Sequence, residues 1–312
     1  MAIQVEIWQK DVQEEIFKEN TFLRKSFNAD QYVVQGKIVH IPQSGGSGNV
    51  VKNRTSLPAN VRKRNDTDVV YALDAYTTDP VLIPNAEQYE LSYDKRNSVI
   101  GEDKAKLNET IAEEVLYDWT NSPLNTTSLP AGSVFKTSGD AIAATAAGAT
   151  GNRKKATLTD LQRMKTFFKT KKQWFEGQMN ALLTPQMEAD LFPANDVVTA
   201  TYLASVSQAE REAGVIAKVQ GWNIMTRSTV LVTASTFALK APGAAGAAGD
   251  NEASLFWYNN AVEVALGEVT AFEKIKDPQF YGDVYSFEVR MGARARRANY
   301  DGIAVLTQDV AA

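Results

Sequence analysis

The sequence predicts an α+β fold. Apolar residues alternate as in strands at several places, one polar helix of roughly thirty residues stands between two such regions, and no regular strand–helix–strand repeat links them. The stretch 31–119 is the most informative, because it reads as a strand, a long basic loop, a returning strand and then that helix.

Composition narrows the class. With 312 residues the chain has room for one large core or two joined domains, and 44% hydrophobic with 22% charged residues is ordinary for a globular protein. A net charge of −4 gives no global attraction to nucleic acid. Without cysteine there are no disulfides, thiolate metal sites or cysteine nucleophiles. No apolar run reaches the ~18 residues that span a bilayer. Met1-Ala2-Ile3-Gln4-Val5-Glu6 lacks the basic start and apolar core of a signal peptide, so use in a cytoplasm, or in something assembled there, is expected.

The elements follow in order. Trp8, Val12 and Ile16 make one apolar stripe on a short helix over residues 6–18, an arm that must borrow its core from elsewhere. From Tyr32 to Pro42 the chain is β-branched and ends at proline, as a strand should, and residues 68–76 have the same character. Between them lie about 25 residues, too long a connection to be held by its own core. It opens with Ser44-Gly45-Gly46-Ser47-Gly48 and then holds Lys52, Arg54, Arg62, Lys63 and Arg64 with no acid between Val51 and Asn65, so it is expected to lie against another molecule.

Pro84 is read as a first-turn proline of the long helix, and Gly101 as a weak point within it. Leu107, Ile111 and Val115, with Ala112, Leu116 and Trp119 beside them, mark a buried face opposite Glu109, Glu113 and Glu114. Residues 120–156, rich in Thr, Ser, Gly and Ala, read as a surface loop. Thr157 and Asp160 resemble a capping box for a helix burying Leu161, Met164 and Phe168. A core strand over 174–183, short helices over 186–192 and 207–213, a strand pair over 214–232, a flexible loop over 241–249 and a strand or short helix over 254–265 come next. Tyr285, Phe287, Val289 and Met291 alternate with polar residues as in a half-buried strand, and 302–306 is a final strand.

Catalytic signals are weak. The single histidine, His40, sits within a strand pattern, where packing or an edge position is the ordinary role. One histidine and no cysteine argue against zinc. The glycine-rich 44–48 segment lacks the lysine-plus-hydroxyl ending and following helix of a phosphate loop. Basic clusters are the stronger feature. Arg153, Lys154, Lys155, Lys169, Lys171 and Lys172 are candidates for contact with DNA or with a neighbouring subunit, and Arg290, Arg294, Arg296 and Arg297 form a second group. An arm, an extended basic hairpin and a long amphipathic helix are parts that a lone monomer leaves unsatisfied and that a self-assembling lattice uses.

The order of these parts resembles the major capsid proteins of tailed phages with the HK97-like fold. The similarity rests on Val39-His40-Ile41-Pro42, Asp66-Thr67-Asp68-Val69-Val70-Tyr71, Glu90-Leu91-Ser92-Tyr93-Asp94-Lys95, the segment from Gly214 to Trp222, and Tyr281-Gly282-Asp283-Val284-Tyr285-Ser286 with Arg290-Met291-Gly292-Ala293-Arg294. It spans nearly the whole chain. The resemblance implies an N-terminal arm (1–30), an extended loop (31–84), a spine helix (85–119), a peripheral domain (85–149 and 266–312) and an axial domain (150–265). It further implies a non-enzymatic subunit without cofactor or metal, building pentamers and hexamers of an icosahedral shell around double-stranded DNA. Partners would be other copies, a portal and a separate scaffolding protein, with no membrane; the place would be the virion, assembled in the host cytoplasm. Trp8, Lys52, Arg54, Arg62, Lys63 and Arg64 would then cross subunit boundaries. Some relatives crosslink through lysine and asparagine, and Lys52 lies in the corresponding loop without an identified partner. Two other readings stay open: an encapsulin-like cellular compartment, and a nucleic-acid-binding protein using the 153–172 segment.

Overall fold

The computed structural model describes residues 20–34, 38–45, 50–55, 57–59, 61, 63–84, 95–121, 129–193 and 197–311, with backbone alone at 34, 95–100, 197 and 198. Trp8 and its helix, Arg62 and the first part of the expected spine helix lie outside the described residues.

Two sheets and one helix organise these residues. The first sheet runs β1 (Phe27–Asn28), β15 (Val262–Asp277), β16 (Gly282–Ala295), β5 (Asp74–Thr77), with β6 (Val81–Pro84) also on β16. The second runs β11 (Ala217–Val219), β12 (Trp222–Thr226), β10 (Met179–Leu183), β14 (Asn251–Tyr258), β17 (Ile303–Thr307), β7 (Val134–Lys136), with β13 (Leu231–Thr233) also on β14. A small sheet joins β2 (Val33–Val34), β3 (Ile38–Gln43) and β4 (Thr67–Ala72), and β8 (Ala141–Ala143) pairs with β9 (Asn152–Lys154). The helices are α1 (Lys95–Asp118), α2 (Leu158–Thr170), α3 (Pro185–Leu191), α4 (Val197–Ala204) and α5 (Gln208–Glu212).

The second sheet is covered on both faces, and the two-residue period of its strands sorts the side chains. Leu182, Leu255, Trp257, Ile303 and Val305 face the core shared with α1 and the β15–β16 hairpin. Ala181, Leu183, Phe256, Ala304 and Leu306 face the core capped by α2 and α3. On the first side Trp119 packs edge-on to Phe22 at 5.8 Å and tilted against Trp257 at 5.5 Å, while its indole N–H donates to the Glu263 carbonyl at 3.1 Å. Truncating a fully buried tryptophan of this kind costs about 3–5 kcal/mol. Trp222 holds the other side, within 5.4 Å of Phe168, Trp174 and Phe256.

Several sequence expectations hold locally. The capping box of α2 is formed, with Thr157 Oγ1 accepting from the Asp160 amide and the Asp160 carboxylate accepting from the Thr157 amide. The buried face of α1 is the expected one, and Tyr285, Phe287, Val289 and Met291 are buried along β16. Helix α1 continues through Gly101, whose Cβ position is open space.

Others are corrected. Pro84 ends strand β6 opposite Gly282 instead of opening the helix; a proline fits there because β6 has β16 as its one neighbour. The 120–156 segment contains β7, β8 and β9, with β7 parallel to β17, so it is built into the sheets. The 174–183 strand is confined to its second half, after a turn at Gly177 with φ +77°. The run from Tyr32 to Pro42 is two strands, β2 folding back antiparallel on β3. The expected boundary at 265 falls inside β15, and β17 joins the sheet of β10–β14, because a strand buried on both faces needs a neighbour on each edge.

Candidate subunit interface

The basic hairpin is rooted firmly and then leaves the body. Strands β3 and β4 pair from Ile38 opposite Ala72 to Gln43 opposite Thr67. Alternation turns Val39, Ile41 and Tyr71 inward with Ala29 and Ala265, and leaves Ile38, His40 and Val70 exposed. His40 Nδ1 lies 2.6 Å from Asp68 Oδ2 across the exposed face. The root is tied down by Arg294, which donates to the Val70 carbonyl at 2.9 Å, and by Gln43, which donates to the Arg296 carbonyl at 2.5 Å. It also lies close against glycine: a Cβ on Gly292 would meet Leu73 Cδ2 at 2.7 Å and the Ala72 carbonyl at 3.1 Å.

Where the strands end, Asp66 clips the loop shut. Its carboxylate accepts from the Gly45 amide at 2.8 Å and from Arg64 Nε at 2.6 Å, and these two bonds hold its pKa below the usual carboxylate value. Past this clip Val50, Val51, Leu57 and Val61 are 98%, 51%, 81% and 100% exposed. Lys52, Arg54 and Lys63 are exposed too, and have no carboxylate partner among the described residues. Exposed aliphatic groups are thus interleaved with cations that have no carboxylate partner among the described residues.

The end of the expected arm is already docked. Phe22 and Leu23 are buried, β1 pairs in parallel with β15, Trp257 Nε1 donates to the Lys25 carbonyl at 2.9 Å, and the Leu266 amide donates to Asp30 at 2.7 Å. Residues 20–30 therefore belong to their own subunit's core.

The 153–172 cluster does not form one surface. Arg153 is 3% exposed, with all five N–H groups spent inside the protein, so it is a structural residue and not a DNA or subunit contact. Lys154 pairs with Asp309 at 2.8 Å. Lys155 is half-buried, Lys169 and Lys171 are exposed but lie over the rings of Trp174 and Phe167, and Lys172 is exposed at the helix end. The second basic group is also internal in part: Arg294 is buried and Arg296 pairs with Glu263 at 3.1 Å while covering the Phe27 ring.

One cluster escaped the sequence reading. Along α1 the acids Glu113 and Glu114 read as a solvated face. In the fold, Asp118 is only 7% exposed and lies near Asp74 of β5 and Glu114, with no hydrogen bond or cation partner among the described residues. Burial first, then the two neighbouring carboxylates, push its pKa up to about 8. Its place in the last turn of the helix, where the backbone dipole is negative, works in the same direction. Glu114 is shifted upward by the same causes, and Tyr76 is shifted upward by burial and by all three acids. Glu113 differs, because it accepts from Thr229 Oγ1 at 2.7 Å and lies 4.0 Å from Arg227. The helix period already puts Asp118 on the buried stripe, three residues past Val115; what the sequence does not show is Asp74 of β5 beside it.

Among the described residues no set of three or more His, Asp or Glu side chains is placed to hold a metal, and no helix is long and apolar enough to cross a membrane.

No family pattern and no curated protein matches this sequence. The fold has clear counterparts among solved structures. The capsid of Ralstonia phage GP4 matches with a TM-score of 0.63 at 12% identity, over 92% of this chain and 88% of that one. The capsid of cyanophage Pam1 matches with a TM-score of 0.60 at 12% identity, over 92% and 91%. The capsid of cyanophage P-SCSP1u matches with a TM-score of 0.56 at 16% identity, over 91% and 85%. The shared α+β architecture spans nearly the whole of each chain.

Proposed function

From the premise that this chain has the HK97-like fold of phage capsid proteins, we propose that it is a shell subunit of a virion. Copies assemble into pentamers and hexamers of an icosahedral capsid that encloses double-stranded DNA without reading its sequence. A portal and a separate scaffolding protein complete the set of partners, and assembly takes place in the host cytoplasm. The observation that carries this reading beyond fold is the loop past the Asp66 clip, with its exposed aliphatic groups and with Lys52, Arg54 and Lys63, which have no carboxylate partner among the described residues. A surface of that kind is unfavourable in a lone subunit and is satisfied when another copy covers it.

The test is negative-stain electron microscopy of the heaviest size-exclusion fraction of the full chain, beside the variant Arg62→Glu, Lys63→Glu, Arg64→Glu. Closed shells, rings or tubes are expected from the parent chain. The variant should melt within a few degrees of the parent but remain unassembled. Normal particles from the variant would remove the loop from the interface.

A further inference from the structure

We infer that the groove between the root of the basic hairpin, the turn after α2 and the turn between β16 and β17 binds an unpaired nucleotide, with its phosphate on Lys172 and Arg297 and its base on Phe175. The two basic runs of the sequence, 153–172 and 290–297, do not lie as whole runs on one surface, yet their last members come together here. Lys172 closes the first run and Arg297 the second, and both are exposed residues lining one cavity of about 540 Å³. That size is in the range of small-molecule sites. The inference stands on this groove alone and is independent of whether the chain forms a shell.

The walls are tied to one another within the chain. Gln43 at the end of β3 donates to the Arg296 carbonyl at 2.5 Å. The Arg296 amide donates to the Ala261 carbonyl at 2.8 Å, and the Gly302 amide donates to Gln173 Oε1 at 3.0 Å. The Arg296 guanidinium is engaged with Glu263 and the Phe27 ring, so it serves as a wall, and Lys172 and Arg297 are the cations offered to a ligand.

The cations call for an anion, and the rings decide which one. Phe175 is 44% exposed and is stacked on Tyr258, with centroids 4.2 Å apart and planes at 23°. Both rings line the groove. A base stacks on such a platform whatever its identity. An acidic peptide would use the cations and leave the phenyl face in water. Asp301, half-buried in the same lining, disfavours a second phosphate but accepts from a base amino group or a sugar hydroxyl. A duplex keeps its bases stacked on one another and offers the groove phosphate only. The ligand is therefore a free nucleotide or a unit of a single strand, distinct from enclosed double-stranded DNA.

The test is fluorescence anisotropy of a labelled oligothymidylate with the full chain as purified, across a salt series, beside a duplex of equal length. Lys172→Gln and Arg297→Gln should each make the log–log salt slope of strand binding shallower by about 0.7. Phe175→Ala should weaken the strand about tenfold and leave the duplex unchanged. All three positions are exposed, so the variants should melt with the parent. A strand carrying 4-thiothymidine should photocrosslink within the groove, as mapped by mass spectrometry.

Adenosine monophosphate and inorganic phosphate serve as competitors. Displacement of the tracer by the mononucleotide identifies a free nucleotide as ligand, displacement by unlabelled strand alone identifies single-stranded nucleic acid, and either supports the site. Inorganic phosphate that competes as well as the nucleotide, or a Phe175→Ala loss equal for strand and duplex, reduces the groove to an anion site and overturns the inference. A parent chain that binds no strand, or unchanged strand binding in all three variants, overturns it as well. If Lys172→Gln with Arg297→Gln then blocks assembly, the groove belongs to an acidic group of a neighbouring copy.

Discussion

Arg153 shows how far a single residue's role depends on what the chain brings to it from a distance. Its Nε donates to Asn251 Oδ1 at 2.5 Å, and its two terminal nitrogens reach the carbonyls of Thr150, Asn152, Ala248 and Asp250 at 3.0–3.2 Å. One guanidinium thus closes the 144–151 loop onto the 246–251 loop. Arg153→Ala should destabilise the chain by about 2–4 kcal/mol in urea unfolding, because several buried carbonyls lose their donor. Arg153→Lys should recover little of this, since an ammonium cannot span the same fork. The sequence places Arg153 beside Lys154 and Lys155 as one charge run, and nothing local separates them. What separates them is the carbonyls of an Ala/Gly-rich segment about a hundred residues later, which reads as a flexible loop. Asp118 was hidden for the same reason: the helix period puts Leu107, Ile111 and Val115 inside, but only the crossing of β5 brings Asp74 over the last turn.

At the scale of elements, legibility follows periodicity. Strand β16, the buried face of α1 and the α2 cap were readable because each repeats, or pairs residues within four positions. Strands β7, β8 and β9 were not, because Ala, Thr and Gly supply no apolar alternation and their partners lie far along the chain. The basic hairpin was legible as an element, but the precision of its root was not. Leu73 rests on the backbone of Gly267 and Gly292, with Cβ positions 2.8 and 2.7 Å from its methyl carbons. Gly292→Ala should therefore lift the junction of β4 and β5 off β16 and cost about 1–3 kcal/mol. Leu73→Ala in the same chain should recover part of that loss, because the two changes share one contact. Thermal melts of the two single variants and the double variant measure the coupling; strict additivity would show that Leu73 and Gly292 do not constrain each other.

For the whole molecule, a net charge of −4 conceals a division of labour: cations on the extended hairpin, and unneutralised acids where α1 meets β5. The acid cluster makes the stability of the chain depend on pH. In the lone chain the folded-state pKa of Asp118, about 8, lies above its value in the unfolded chain, so folding takes up a proton. The stabilising contribution is full below pH ~4 and is lost as pH rises through about 8. Asp74 and Glu114 face the same group, and the upward shift of Glu114, caused by burial and then by Asp74 and Glu113, reinforces the trend. The unassembled chain should accordingly melt higher at pH 5 than at pH 8, with the difference reduced in Asp118→Asn. Thermal melts of the parent chain and of Asp118→Asn across a pH series read the trend. A parent chain that melts higher at pH 8 than at pH 5 would show that Asp118 takes up no proton on folding.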